Sequence, residues 1–228
     1  MNGPLLVAVC GMLALLADLP VGGGCLQQLP TDGTWAQYQV DIKIGNQGIN
    51  ASWVVRSVGS QTHNGQPCRW IEMQQQSDNP EFPKMTWRCL VPEAEFGEGK
   101  HPVGKAIKVW QKVEGQDAQS VGSIKARDPL FAALIQGPGK DLKVEEGPEV
   151  IRWQRGNLEC QVVAGDSEAI LNGALMKIHH RIFRNDEAPF QLGGRLWEVA
   201  VGGQTINVKM TLQDQGTDAK ALYPDLGP

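Results

Sequence analysis

Residues 65–90 read GQPCRWIEMQQQSDNPEFPKMTWRCL. Two runs of alternating apolar and polar residues, 68–73 and 85–90, flank a polar loop that holds Asp78, Asn79, Pro80 and Pro83. Alternation at a period of two, bounded by Pro, Asn and Asp, predicts a pair of antiparallel strands. The register that sets Cys68 opposite Cys89 also sets Trp70 opposite Trp87, on the same face because residues i and i+2 share a side. The stretch therefore predicts a Cys68–Cys89 disulfide beside an aromatic pair. Closing a loop of about 20 residues in this way contributes roughly 3 kcal/mol in the chain-entropy picture.

The pattern continues on both sides. Upstream, 34–44 alternates through Trp35, Tyr38, Val40, Ile42 and Ile44, with a slip near Ala36 and Gln37. Gly45-Asn46-Gln47-Gly48 is turn chemistry, because Gly and Asn tolerate positive φ. A second strand is expected over 49–58. Downstream, 90–99 breaks the pattern as one turn or short helix, and strands resume over 103–113 and 121–126. Residues 128–136 change period: Asp128 is suited to the N-cap and Pro129 to the first helical position. Leu130, Phe131, Leu134 and Ile135 then make an apolar face, and Gly137-Pro138-Gly139 stops the helix. Further strands are expected over 149–154, 158–163, 169–183, 195–201 and 205–212, with 140–148 an ordinary loop. Roughly ten strands and one clear helix, with turns at typical spacing, predict a mainly β fold. We expect a single, strongly curved antiparallel sheet, an unclosed barrel, with one or two short helices on its concave face. By domain, 1–24 reads as a leader, 25–30 as a linker, 31–224 as one β-rich domain and 225–228 as a tail.

The 228 residues suffice to bury a substantial core. Net charge is −4, and the cations are scattered, so no basic field for nucleic acid or an acidic membrane is present. Residues 5–19 are apolar apart from Asp18, and Val21-Gly22-Gly23-Gly24 leads into Cys25. An apolar run of ~15 residues is too short for a comfortable membrane span; followed by small residues, it reads as an export signal. The protein is accordingly expected to be exported, periplasmic or anchored to the envelope. The small residues before Cys25 also resemble the site where bacterial lipoproteins are acylated. Either Cys25 carries a lipid, leaving Cys160 a lone core thiol, or the leader is cleaved unlipidated and a Cys25–Cys160 bridge becomes available. Contact with a membrane is expected only through such an anchor.

Few patterns carry chemistry. His179 and His180 are adjacent, so on a strand they point to opposite faces and cannot chelate one metal; they read as an exposed, charged pair. His63 and His101 lie in polar stretches, and no Cys-x-x-Cys occurs. A Gly-x-Ser-x-Gly elbow and a phosphate-binding glycine loop are both absent. Acidic groups such as Glu93/Glu95, Glu145-Glu146 and Asp186-Glu187 read as solvated loop carboxylates, and Asn50-Ala51-Ser52 is a glycosylation sequon. No catalytic residue, cofactor or metal is expected. All seven tryptophans, at 35, 53, 70, 87, 110, 153 and 197, fall on predicted strands. Either they fill the core, or some line an apolar cavity. On the second reading Trp70, Trp87, Trp110, Phe131 and Leu134 are the candidate ligand-binding residues.

The leader ending in Gly-Gly-Gly-Cys, the long meander and the small central helix resemble the exported lipoprotein-carrier (LolA/LolB-like) superfamily. The second half resembles uncharacterised exported proteins of planctomycete-type bacteria. The matching stretches are Gly156-Asn157-Leu158-Glu159-Cys160, Ala188-Pro189-Phe190-Gln191-Leu192-Gly193 and the 215–220 ending. The resemblance implies an unclosed barrel whose helices plug a hydrophobic cavity, and a lipid or lipoprotein partner. The function expected is non-enzymatic binding of a lipid or lipidated partner in the concavity of the sheet. The alternative is a structural or protein-interaction module of the envelope with a filled core.

Overall fold

A computed structural model describes residues 26, 28–77, 79, 83–97, 100, 102–122, 142–171 and 174–226. It contains strands β1 (Trp35–Ile44), β2 (Gln47–His63), β3 (Gln66–Ser77), β4 (Met85–Pro92), β5 (Lys108–Val113) and β6 (Gln119–Ser120). Strands β7 (Lys143–Trp153), β8 (Gly156–Leu171), β9 (Ala174–Arg184), β10 (Leu192–Val201) and β11 (Gln204–Gly216) follow. All eleven join one antiparallel sheet in the order β6-β5-β4-β3-β2-β1-β11-β10-β9-β8-β7. Nearly every pairing is between sequence neighbours, as short connections favour; β1 with β11 is the exception and splices the two halves. The connection from β6 to β7 runs from one free edge of the sheet to the other. The sheet is not closed into a barrel, but it curls enough for β7 to touch β11, four places away in the strand order.

Alternation decides which face is buried. In β1, Ala36, Tyr38, Val40, Ile42 and Ile44 are buried while the residues between them are not. Their cross-strand partners carry this core face outward through Val55 and Met73 on one side and through Val208, Trp197 and Ile182 on the other. The slip expected near Gln37 is a register shift between Gln37 and Tyr38 in the β1–β11 pairing.

The hairpin at 65–90 forms, but three residues out of the expected register. Ile71 lies opposite Cys89 and Met73 opposite Trp87, while Cys68 faces Pro92 and Trp70 faces Leu90. An odd slip exchanges the faces of a strand. Cys68 and Cys89 consequently sit on opposite sides of the sheet, and both are buried free thiols. The predicted disulfide is therefore not formed. Charge explains the observed register: it opposes Glu72 to Arg88, whereas the Cys-to-Cys register would oppose Arg69 to Arg88, and like charges facing each other are destabilising.

Other boundaries also move. The run 103–113 divides into a 3-10 turn, Pro102–Lys105, and β5. The break at 90–99 contains the 3-10 turn Glu93–Glu95. The run 169–183 divides between β8 and β9, and β7 begins inside the loop expected over 140–148. Among the described residues the only helical pieces are 3-10 turns, the third being Pro189–Gln191. The helix expected over 128–136, the leader with Cys25, and candidates Phe131 and Leu134 lie outside the described residues.

Candidate functional site

The predicted ligand-binding tryptophans are divided by the same register. Trp87 has no exposed surface and packs in the main core with Met73 and Val109. Trp70 lies on the opposite face in a separate cluster with Cys68, Leu90 and Val58. Trp110 is opposite Arg88 and so shares the face of Trp70. Trp70, Trp87 and Trp110 do not line one cavity. All seven tryptophans do lie on strands, as expected.

On the face of Trp70, a single cross-strand row runs Trp35, Arg56, Glu72, Arg88, Trp110 through β1 to β5. Arg88 Nη1 donates to Glu72 Oε1 at 2.8 Å, and its guanidinium lies 4.5 Å from the centroid of the Trp70 ring. The side chains of Glu72 and Arg88 are 0% and 7% exposed. Burial lowers the pKa of Arg56, and the negative charge of Glu72 opposes that effect. Burying charges without good compensation is costly, so this row needs a cover.

The 217–226 segment supplies one. Trp35 Nε1 donates to Asp218 Oδ1 at 2.9 Å, and the Ala219 N–H donates to the Gly33 carbonyl at 2.9 Å. The Leu222 N–H donates to Glu72 Oε2 at 2.8 Å, and Arg88 Nη1 donates to the Tyr223 carbonyl at 2.7 Å. Gly33 has φ +83°, and a Cβ there would lie 2.5 Å from the Thr217 carbonyl oxygen, so this crossing requires glycine. Nothing in the linear pattern marks the row. Its five members lie on five strands and meet only through four registers.

A second feature lies where β7 curls over the same face of β9–β11. Arg155, in the β7–β8 turn, donates to Asp214 Oδ1 and to the Gln215 carbonyl, both at 2.5 Å, and so pins the hairpin to β11. A backbone hydrogen bond from Gln215 and the guanidinium of Arg155 hold the Asp214 carboxyl below its ordinary range. The close approach depends on Gly194, where a Cβ would lie 2.6 Å from the Met210 carbonyl oxygen and 3.1 Å from Ile151 Cδ1. A groove of about 390 Å3 remains beneath β7, lined by Val150, Ile151, Phe183, Leu196 and Met210 together with the charged Glu149, Arg152, Arg195 and Lys209. Arg181, also in the lining, bonds Glu145 at 2.5 Å and Glu149. That pairing lowers the Glu145 pKa and raises that of Arg181. Glu145 is thus an ion-paired strand residue rather than a solvated loop carboxylate.

The histidine pair also departs from expectation. His179 is partly exposed and bonds Asp166 at 2.7 Å, but His180 is 2% exposed. Burial, then the positive charges of Arg195 and His179, lower the His180 pKa to about 3, against a raising effect of Asp166. His180 is therefore neutral in the core rather than exposed and charged. Among the described residues no three His, Cys, Asp or Glu side chains converge as a metal site would require.

No family model and no curated protein matches the chain. Solved structures do resemble it loosely. A Bacteroides fragilis protein described as exported, with a YmcC-like fold, aligns at 8% identity over 84% of this chain and 99% of its own, with a TM-score of 0.40. A DUF1329 family protein from Desulfovibrio piger aligns at 11% identity over 97% of each chain, with a TM-score of 0.41. A Parabacteroides distasonis protein described as a lipoprotein aligns at 10% identity over 87% of this chain and 100% of its own, with a TM-score of 0.40.

Proposed function

We propose that the chain is an exported, non-enzymatic protein of the cell envelope that holds an apolar or amphiphilic molecule, a lipid or the lipid part of a lipoprotein, beneath β7. The observation that carries this reading is the groove itself. Its volume of about 390 Å3 falls within the roughly 300–1,000 Å3 typical of small-molecule sites. Its lining mixes apolar side chains with charged ones, the two kinds of contact an amphiphile makes. The leader-like residues 1–24 support export, and acylation of Cys25 would tether the protein to a membrane. The resemblance of the leader and the meander to lipoprotein carriers points to the same ligand class. This site differs from the one expected from the tryptophans, because the core face around Trp87 is filled.

The test is organic extraction of the natively purified protein followed by lipid mass spectrometry, alongside a Leu196→Glu variant. A stoichiometric lipid in the wild type that is lost from the folded variant is the expected result. A wild type with no lipid that also fails to bind a fluorescent fatty acid would overturn the reading. The second reading, an interaction module with no ligand, is favoured by the filled core face, where Val40, Met73 and Trp87 have no exposed surface.

A further inference from the structure

We propose that the row Trp35–Arg56–Glu72–Arg88–Trp110 is a docking site for an acidic peptide segment of a partner protein, and that the 217–226 segment fills this site in the free protein. Three observations lead there. First, the site reads main chain: the carboxylate of Glu72 takes the Leu222 N–H, and the guanidinium of Arg88 takes the carbonyl of the next residue, Tyr223. The side chain of Leu222 contributes little, since the residue stays 39% exposed. The two groups hold main-chain positions two peptide units apart, on a segment that bends at Leu222 and turns over Tyr223–Leu226; because every residue offers these backbone groups, the site accepts any chain that can take up the same bend.

Second, the present occupant leaves the site incompletely satisfied. Arg56 Nη1, Arg88 Nε and Trp110 Nε1 are buried donor atoms without an acceptor among the described residues. A buried donor without a partner costs free energy comparable to a lost hydrogen bond. All three are donors, so the better ligand is a segment that brings acceptors, carboxylate or amide side chains, to these positions. Third, the row carries two guanidinium groups and one carboxylate, an excess of positive charge within a chain of net charge −4. An acidic peptide matches that excess. Covalent attachment gives the 217–226 segment an effective concentration on the order of mM, so it competes with any partner and sets a threshold for docking. The proposal is independent of the groove beneath β7, which lies across β9–β11.

The experiment uses a fluorescein-labelled synthetic peptide of residues 217–228, TDAKALYPDLGP, and fluorescence anisotropy. The peptide is expected to bind a chain ending at Gly216 at least tenfold more tightly than it binds the full chain. Replacing the Leu222 amide of the peptide by an ester, which removes the N–H, should weaken binding about tenfold, the loss typical of one hydrogen bond to a charged group. Replacing the Leu222 side chain by Ala should change little. Because the shortened chain can fail to fold, full-length Leu222→Pro is the parallel variant. It retains the segment but lacks the N–H that Glu72 accepts, and it should bind the peptide more tightly than wild type does. Peptides carrying Glu at single positions from 219 to 226 should include at least one tighter binder, whose gain is lost in Arg56→Met. Equal binding to the wild-type and loosened proteins, indifference to the ester, or no gain from any Glu would each overturn the proposal.

Discussion

Replacing Glu72 by Gln keeps the size of the side chain and removes one charge from beneath the 217–226 segment. Glu72 is fully buried and Arg88 nearly so, 2.8 Å apart, and Arg56 is the cross-strand neighbour on the other side. The substitution leaves two guanidinium groups facing a neutral amide whose NH2 is itself a donor. Breaking a buried pair by removing one partner typically costs about 3–5 kcal/mol, because the remaining charge is left uncompensated. At roughly 2–4 °C per kcal/mol for a protein of this size, Tm should fall by about 6–20 °C. Urea unfolding followed by circular dichroism and by tryptophan fluorescence measures the loss directly. Adding Arg88→Met should recover part of it, so that the double variant is more stable than the sum of the single losses predicts. A loss below about 1 kcal/mol, as for an exposed pair, would refute the claim that this row is desolvated.

Three further outcomes follow from other parts of the molecule. Burial raises the thiol pKa of Cys68, of Cys89 and, to about 11, of Cys160. All three should resist Ellman's reagent at pH 8 until the protein is unfolded in guanidinium without reductant; a disulfide-linked 68/89 peptide in a non-reducing map would contradict the observed register. His180, with its pKa lowered to about 3, takes up its proton in the unfolded chain near its ordinary value of 6.5. Stability should therefore fall as pH drops from about 6.5 toward 3, by up to about 1.4 kcal/mol per pH unit from this group. His180→Gln should flatten that slope in urea midpoints measured between pH 7 and pH 5, and an unchanged slope would mean that the ring is charged in the fold. Gly194→Ala should cost roughly 1–3 kcal/mol by overpacking, because the new methyl meets the Met210 carbonyl oxygen at 2.6 Å; a calorimetric Tm equal to wild type would show that β10 and β11 can separate there.

Much of the strand content was legible because it is local. Alternation through Tyr38, Val40, Ile42 and Ile44 names a strand and its buried face without reference to any partner. The turn expected at Gly45-Asn46 forms, and the Gly45 backbone takes the positive φ, +56°, that the residue type permits. The gathering of residues into sites was not legible in the same way. Glu72 and Arg88 each read as an ordinary polar position in an alternating strand. Their pairing becomes visible only if the 65–90 hairpin is tested for charge as well as for Cys and Trp, and the Arg69–Arg88 clash then argues against the symmetrical register. Glu145 and Glu146 read as loop because they sit among Gly and Pro, and Glu149 as the start of a strand, whereas Arg181, two strands away in the sheet order, holds both Glu145 and Glu149.

By itself, then, the sequence determined that this protein is an antiparallel β meander, where most strands run, and that each carries a tryptophan or an aliphatic stripe. Side-chain period and turn chemistry act over a few neighbouring residues, so one chain suffices to read them. Only the tertiary structure decided the registers, and with them whether Cys68 meets Cys89, which tryptophans share a face, and what the 217–226 segment covers. The physical reason is that a strand's period is two: a slip of three residues costs little in local pattern yet transfers each side chain to the opposite face. The choice between registers is made by the summed fit of the adjoining strands, here a buried Glu72–Arg88 pair against two opposed arginines, and that sum exists only when the sheet is assembled.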